Sequence, residues 1–150
     1  MLYFAYGSNM DPRQMARRCP GATSLGCARL ADHALTFTWD SQKWRGGVGH
    51  IEPSAGAEVW GVLWDVSDRN LKRLDRYELV DKGVYARRPV KVDHDGEIVE
   101  ALAYFATADG YTKPSRRYMS ALIRGAQAHG LPGTYIERLR AVETRPYLPV

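Results

Sequence analysis

The chain has 150 residues, of which 45% are hydrophobic and 25% are charged, values that are ordinary for one globular domain spanning residues 1–150. Lys and Arg outnumber Asp and Glu by only 21 to 17 and are spread along the chain, so we expect no nucleic-acid-binding surface. The sequence has no apolar run of membrane-spanning length and no basic segment before its first apolar residues. We therefore expect a cytoplasmic protein without membrane contact.

Most of the predicted strands lie in the first two-thirds of the chain. Segments that are rich in Val and aromatic residues, or that alternate between apolar and polar residues, predict strands at residues 2–6, 33–39, 48–52, 58–66, 85–92 and 98–105. The last two strands flank His94-Asp95-Gly96, which is typical of a tight hairpin turn. Residues 42–49 are rich in glycine and predict a loop.

Four helices are predicted from their capping residues. The expected caps are Asp11 before Pro12, Ser67, Ser115, and Thr134 in a capping box with Glu137. The first three helices end near Arg18, Glu78 and His129. Strands and helices do not alternate regularly, which predicts an α+β fold: a small mixed β-barrel or strongly curved sheet with flanking helices.

The chain offers no obvious set of metal ligands. Its two cysteines, Cys19 and Cys27, and its four scattered histidines lack the spacings of metal sites. We therefore expect neither a metal nor another cofactor. In a cytoplasmic protein the two cysteines are expected to be free thiols.

A tight polar loop follows the first predicted strand. The apolar run ends in Gly7-Ser8-Asn9, and Asp11 begins a helix shortly afterwards. A strand, a tight loop and a helix start in this order direct several backbone N–H groups toward one spot, which can bind a carboxylate or an oxyanion. An ordinary turn is the alternative for a Gly-Ser-Asn sequence taken alone.

A carboxylate falls on the apolar face of the second predicted helix. Leu71, Leu74 and Glu78 follow the i, i+3, i+7 spacing of one helix face. Burial and the negative end of the helix dipole would both raise the pKa of Glu78 toward the range useful for proton transfer. Asp75 lies beside the same stripe, and periodicity alone does not choose between the two carboxylates. An earlier helix end would instead leave Glu78 at the surface.

Several segments in order resemble the γ-glutamylcyclotransferase family. They are Tyr3-Phe4-Ala5-Tyr6-Gly7-Ser8-Asn9, Trp44-Arg45-Gly46-Gly47, Glu58-Val59-Trp60-Gly61-Val62-Leu63-Trp64, Leu74-Asp75-Arg76-Tyr77-Glu78, and Gly130-Leu131-Pro132 with Tyr135. The resemblance spans nearly the whole chain. It implies a small mixed β-barrel with flanking helices, and cyclisation of a γ-glutamyl group to 5-oxoproline with release of an amino acid or amine.

The same resemblance implies the residues of the site. Glu78 falls on the family's catalytic glutamate. The substrate loop falls on Tyr3, Phe4, Ala5, Tyr6, Gly7, Ser8 and Asn9, and two pocket tyrosines fall on Tyr85 and Tyr118. Tyr118 also forms a helical i, i+4 pair with Leu122 that is typical of core packing. Many relatives have Gly after the catalytic glutamate, where this chain has Leu79, which puts the backbone exit and the pocket shape in question.

These residues support a reaction on a small γ-glutamyl substrate without a cofactor. The substrate α-amine attacks its own γ-carbonyl, Glu78 transfers the proton, and the loop amides hold either the α-carboxylate or the oxyanion. The leaving group stays open, as does the choice between a monomer and a homodimer. The alternatives are a catalytically silent module that binds a γ-glutamyl metabolite or a protein, a barrel that stacks single-stranded nucleic acid on its tryptophans, and a hydrolase using Ser8, which lies in no G-x-S-x-G elbow.

Overall fold

Five strands close into a barrel in the computed structural model, which describes residues 1–146. The strands are β1 (Leu2–Ala5), β2 (Thr23–Ser41), β3 (Gly46–Asp65), β4 (Tyr85–His94) and β5 (Glu97–Ala106). Their order around the barrel is β1-β3-β2-β4-β5. The β1–β5 contact is parallel and the other pairs are antiparallel. The predicted α+β class with a mixed barrel is therefore confirmed.

The middle of the chain forms two long strands where the sequence predicts shorter pieces and a loop. Strand β2 has 19 residues and β3 has 20, and only residues 42–45 separate them. The predicted loop over residues 42–49 is therefore wrong in its second half, because Gly46 and Gly47 belong to β3. A Cβ atom on Gly47 would meet the carbonyl oxygen of Thr112, and the Gly47 amide donates to Lys113 O at 2.9 Å. These glycines serve close backbone packing rather than loop flexibility.

The helices are α1 (Pro12–Arg18), α2 (Asp68–Tyr77), α3 (Arg116–Ala128) and α4 (Gly133–Arg140), and short 3-10 turns occupy Ser8–Met10 and Val80–Lys82. The predicted caps of α1, α2 and α3 are confirmed, since Asp11, Ser67 and Ser115 each accept a hydrogen bond from the first helical turn. The predicted capping box of α4 is wrong. Pro132 is its N-cap residue, so Thr134 already lies inside the helix.

Apolar side chains fill two clusters that share the β1 strand. One cluster occupies the barrel interior and includes Phe4, Ile51 and Val92. The other lies between the barrel and the helices and includes Leu71, Leu74 and Leu122. The period of two along β1 sends Phe4 into the interior and its neighbours Tyr3 and Ala5 into the other cluster. Within residues 1–146, no helix combines the length and the apolar composition needed to cross a membrane.

Candidate functional site

A cavity of about 620 Å³ opens where the two clusters meet. Its wall is built from the turn after β1, the β2–β3 turn, the C-terminal end of α2 and tyrosines of the barrel. Eight of the ten residues predicted for the site line it, namely Tyr3, Tyr6, Gly7, Ser8, Asn9, Glu78, Tyr85 and Tyr118. The volume is typical of pockets that hold small organic ligands, which run to about 300–1,000 Å³.

Phe4 and Ala5 do not line this cavity, which corrects their place among the predicted contact residues. The Phe4 ring is fully buried in the barrel interior, where it packs so closely on Gly61 that a Cβ there would lie 2.8 Å from the ring. Ala5 is also buried and pairs with Val62 of β3. Both residues are needed for strand pairing and core packing, which leaves their side chains no access to a ligand.

Glu78 lies at the end of α2 and reaches the cavity from the helical face that the leucines define. Leu71 and Leu74 are buried in the core, and the Glu78 amide donates to Leu74 O at 2.8 Å. The Glu78 side chain is only 18% exposed. Burial is the main cause that raises the pKa of Glu78, and the charges of Arg18 and Lys43 and a hydrogen bond from Asn9 oppose it. The net effect is a pKa above the ordinary value for a glutamate.

Asp75, the competing carboxylate, is held away from the cavity by its own partners. Its Oδ1 atom accepts a hydrogen bond from the Tyr104 hydroxyl at 2.7 Å and lies 3.0 Å from Arg87 Nε. Asp75 does not line the cavity. The structure therefore separates two carboxylates that helical periodicity leaves equivalent.

The turn after β1 presents polar groups to the same cavity. Gly7, Ser8 and Asn9 line it, and their backbone N–H groups make no hydrogen bond to another residue within the range 1–146. The Asn9 side chain links this turn to α2, because its Nδ2 atom lies 3.3 Å from Glu78 Oε1 and 2.9 Å from the Tyr3 hydroxyl. Free amide donors beside a buried carboxylate form a cradle for an anionic oxygen.

Helix α1 and the β2–β3 turn add residues that sequence reasoning missed. Gln14 and Arg18 both donate to Asn9 Oδ1, at 2.9 and 3.1 Å. Lys43 lies over the rings of Trp44 and Tyr77 at 5.6 and 5.9 Å from their centres. Polar residues at i and i+4 on the inner side of α1 were the available signal for Gln14 and Arg18. The sequence carried no comparable signal for Lys43, because it sits in an irregular turn.

Three tyrosine hydroxyls of the wall meet at the backbone of Gly49. The Tyr85 hydroxyl donates to Gly49 O at 2.5 Å, and the Tyr6 hydroxyl lies 3.4 Å from the same oxygen. The Gly49 N–H donates to the Tyr118 hydroxyl at 2.8 Å, so the Tyr118 proton is free for another acceptor. Burial raises the pKa of Tyr6, Tyr85 and Tyr118, which keeps these hydroxyls protonated at neutral pH.

Leu79, which follows Glu78, adopts the left-handed conformation with φ 53° and ψ 43°. A branched side chain with positive φ is uncommon, and this region of the backbone favours glycine. Leu79 also lines the cavity. The position where this chain has Leu79 and many relatives have Gly is therefore a strained backbone site in the cavity wall. The backbone leaves α2 in the left-handed conformation even though Leu79 carries a side chain.

Comparison with known proteins gives a consistent result over nearly the whole chain. The model of the AIG2-like family matches residues 58–139. Gamma-glutamylcyclotransferases from Homo sapiens and Mus musculus are 39% and 38% identical, each over 97% of this chain and 80% of the relative. A solved structure of a gamma-glutamyl cyclotransferase superposes with a TM-score of 0.96 at 37% identity, covering 100% of this chain and 92% of that one.

Proposed function

The chain belongs to the γ-glutamylcyclotransferase family and is an enzyme, and we propose that it converts a γ-glutamyl amino acid or γ-glutamyl amine to 5-oxoproline and a free amine. The observation that carries this proposal is that Glu78 and the turn formed by Gly7, Ser8 and Asn9 line the same cavity. A buried carboxylate and unpaired amide donors line one pocket, and the Asn9 side chain links them. That pair of groups matches the needs of an intramolecular acyl transfer.

The substrate contains its own nucleophile, so the enzyme's first task is to fold it. Glu78 takes a proton from the substrate α-ammonium, and the resulting amine attacks the γ-carbonyl carbon. A C–N bond then closes the five-membered ring, and the γ-carbonyl oxygen becomes an oxyanion. Holding the two reacting groups in contact replaces a slow encounter, and this positioning supplies much of the rate enhancement.

Collapse of the tetrahedral intermediate restores the carbonyl and breaks the original C–N bond. Glu78, now protonated, gives its proton to the departing nitrogen. The ring nitrogen, which is positively charged after the attack, gives its extra proton back to the Glu78 carboxylate as the lactam forms, and this proton passes to the released amine, which leaves as an ammonium ion. The carboxylate is regenerated, so protons balance over the cycle. A pKa raised by burial suits Glu78 to both steps, because a carboxyl that holds its proton more tightly than usual is a stronger base toward the α-ammonium and still returns the proton to the departing nitrogen.

The remaining wall residues have supporting roles in this proposal. The amides of Gly7, Ser8 and Asn9 hold the α-carboxylate or the oxyanion, and the free Tyr118 proton reaches the same region, since a Cβ on Gly7 would lie 2.9 Å from that hydroxyl. Neutral tyrosines donate hydrogen bonds without adding negative charge beside Glu78. They also keep their rings in the core, so the hydroxyls are held in fixed positions.

The cations of the cavity wall favour a leaving group that carries a negative charge. Lys43, Arg76 and Lys82 line the same cavity as Glu78. Cations in the wall of a pocket attract a carboxylate on the amine that departs. We therefore place γ-glutamyl amino acids ahead of γ-glutamyl amines as substrates.

The direct test is 5-oxoproline release from a panel of γ-glutamyl compounds. The panel should pair each γ-glutamyl amino acid with the γ-glutamyl amine that lacks only the leaving-group carboxylate, and it should include glutathione. We expect release from the amino acid of each pair at the higher kcat/KM. Binding of the panel compounds by calorimetry with no release from any of them would instead support a silent binding module.

A further inference from the structure

Arg18, the last residue of α1, carries a buried charge that the proposed reaction steps do not use. Its side chain is only 8% exposed, and its guanidinium carbon lies 4.5 Å from the centre of the Tyr77 ring. Arg18 also lines the cavity. The C-terminal end of α1 favours a cation through the helix dipole, but a charge buried this deeply needs specific partners.

The partners of Arg18 are the two groups at the centre of the site. Its Nη1 atom donates to Asn9 Oδ1 at 3.1 Å and lies 3.9 Å from Glu78 Oε1. Asn9 Nδ2 lies 3.3 Å from that same Glu78 oxygen. One guanidinium nitrogen, one amide and one carboxylate oxygen thus form a closed triangle beside the cavity.

Arg18 and Gln14 together determine which way the Asn9 amide faces. Both donate to Oδ1, Gln14 at 2.9 Å, so the acceptor end of the amide is directed at α1. The donor end is then directed at Glu78 and the Tyr3 hydroxyl. If the Asn9 amide were rotated by half a turn, its Nδ2 atom would lie against the Gln14 and Arg18 donors. None of these three donor groups would then have an acceptor.

We propose, resting on the function proposed above, that Arg18 is a positioning residue of the cyclisation: it fixes the Asn9 amide and the Glu78 carboxylate in one arrangement and supplies the positive charge that keeps this buried carboxylate available as the base. Gln14 shares the first role but not the second, because it carries no charge. This difference allows the two roles to be measured separately.

The charged and titratable groups that act on Glu78 come from several elements. Arg18 of α1 and Lys43 of the β2–β3 turn are cations, and Asp75 of α2 is an anion. The Glu78 charge in turn adds to the burial that raises the pKa of five neutral tyrosines, Tyr3, Tyr6, Tyr85, Tyr104 and Tyr118. Arg18 is the strongest of the groups that lower the pKa of Glu78. Its loss should therefore raise that pKa further and move the rising limb of activity to higher pH.

The test is the pH dependence of kcat/KM for 5-oxoproline release by Arg18→Met, measured between about pH 5 and pH 9. We expect about tenfold more loss at pH 6 than at pH 8.5, because an opposite charge at about 4–6 Å changes the ionised fraction of a carboxyl by a factor of this order. Arg17→Met is the matched control, since it removes an exposed cation from the adjacent position of the same helix. In Arg17→Met, kcat/KM should rise with pH over the same range as in the wild type.

Two further variants separate charge from geometry. Arg18→Lys keeps a cation but cannot hold the planar contacts with both Asn9 and the Tyr77 ring. We therefore expect kcat to fall, while the pH range over which kcat/KM rises stays near that of the wild type. Gln14→Met should also lower kcat without moving the limb. Arg18→Lys further serves as the test if Arg18→Met fails to fold. Wild-type kcat in Arg18→Lys would contradict the positioning role.

A readout without turnover keeps this inference distinct from the proposed function. The carboxyl carbon of Glu78 can be titrated by NMR, with Glu78→Gln used to assign its signal. If the pKa of Glu78 is higher in Arg18→Met than in the wild type, the charge role is supported, even if no panel compound is turned over. An unchanged titration, or an equal change in Arg17→Met, would overturn it.

Discussion

The two carboxylates at the end of α2 have nearly the same exposure but opposite surroundings. The side chains of Asp75 and Glu78 are 23% and 18% exposed. Asp75 has close contacts with Tyr104 and Arg87, at 2.7 and 3.0 Å. Glu78 has only the longer contacts with Asn9 and Arg18, and its Oε2 atom accepts no hydrogen bond from residues 1–146. The comparison teaches that the length of the contacts and a place in the cavity wall, rather than side-chain exposure, distinguish Glu78 from Asp75.

The largest expected effect is the loss of turnover in Glu78→Gln. The amide keeps the shape and the acceptor for Asn9 but cannot act as a base, and general base catalysis supplies about 10²–10⁴-fold. We expect kcat/KM for 5-oxoproline release to fall by this order. Asp75→Asn is the matched control and should stay within about threefold of the wild type, because its contacts serve packing of β4 and β5 against α2. The reverse ranking of the two variants would refute the assignment.

Tyr118 shares one feature with each carboxylate. Like Asp75 its polar group has a close protein contact, and like Glu78 it lines the cavity. Tyr118→Phe removes the hydroxyl that we propose donates a hydrogen bond to the substrate, worth about 0.5–1.5 kcal/mol, so kcat/KM should fall by about two- to thirteenfold. It also leaves the buried Gly49 N–H without its acceptor, at a cost of about 1–3 kcal/mol of unfolding free energy. Denaturant titration measures the second effect. A loss of stability without any loss of kcat/KM would assign Tyr118 to packing alone.

The backbone next to Glu78 is strained at Leu79, which has a left-handed conformation. Leu79→Gly should relieve a left-handed conformation that costs a branched residue about 1 kcal/mol. Leu79→Ala removes the same side-chain contacts but keeps the strain. Thermal unfolding should therefore find the glycine variant more stable than the alanine variant by about 1 kcal/mol. Equal stability would show that the strain is absent in solution.

The smallest expected effect is on stability as a function of pH. A carboxyl whose pKa is raised by folding binds its proton more tightly in the folded state, so the wild type loses stability as the pH rises from 4.5, the ordinary value, through the raised value. Glu78→Gln removes that loss. The variant should be more stable than the wild type near pH 8, and this gain should shrink toward pH 4. A gain that is the same at both pH values would show that ionisation of Glu78 is not its source.

The sequence by itself determined the elements whose signals are local. The apolar run before Gly7, the caps of three helices and the Asp95-Gly96 turn each depend on residues within a few positions, and all of them form as predicted. The i, i+3, i+7 stripe of α2 also carried Glu78 to the inner face. Local propensity and periodicity are sufficient for these features because they involve one element at a time.

Only the tertiary structure decided which groups share the cavity. Asn9 and Glu78 are 69 residues apart, Tyr104 and Asp75 are 29 apart, and Gly49 and Tyr118 are 69 apart. Periodicity specifies the face of a helix but not the partners it meets, so it left Asp75 and Glu78 equivalent and passed over Arg18. The family resemblance assigned the whole segment from Tyr3 to Asn9 to the ligand loop, and strand pairing and core packing are what remove Phe4 and Ala5 from the cavity wall. Closure of the barrel brings the ends of β1, α1 and α2 together, and that closure depends on strand pairings that no local pattern encodes.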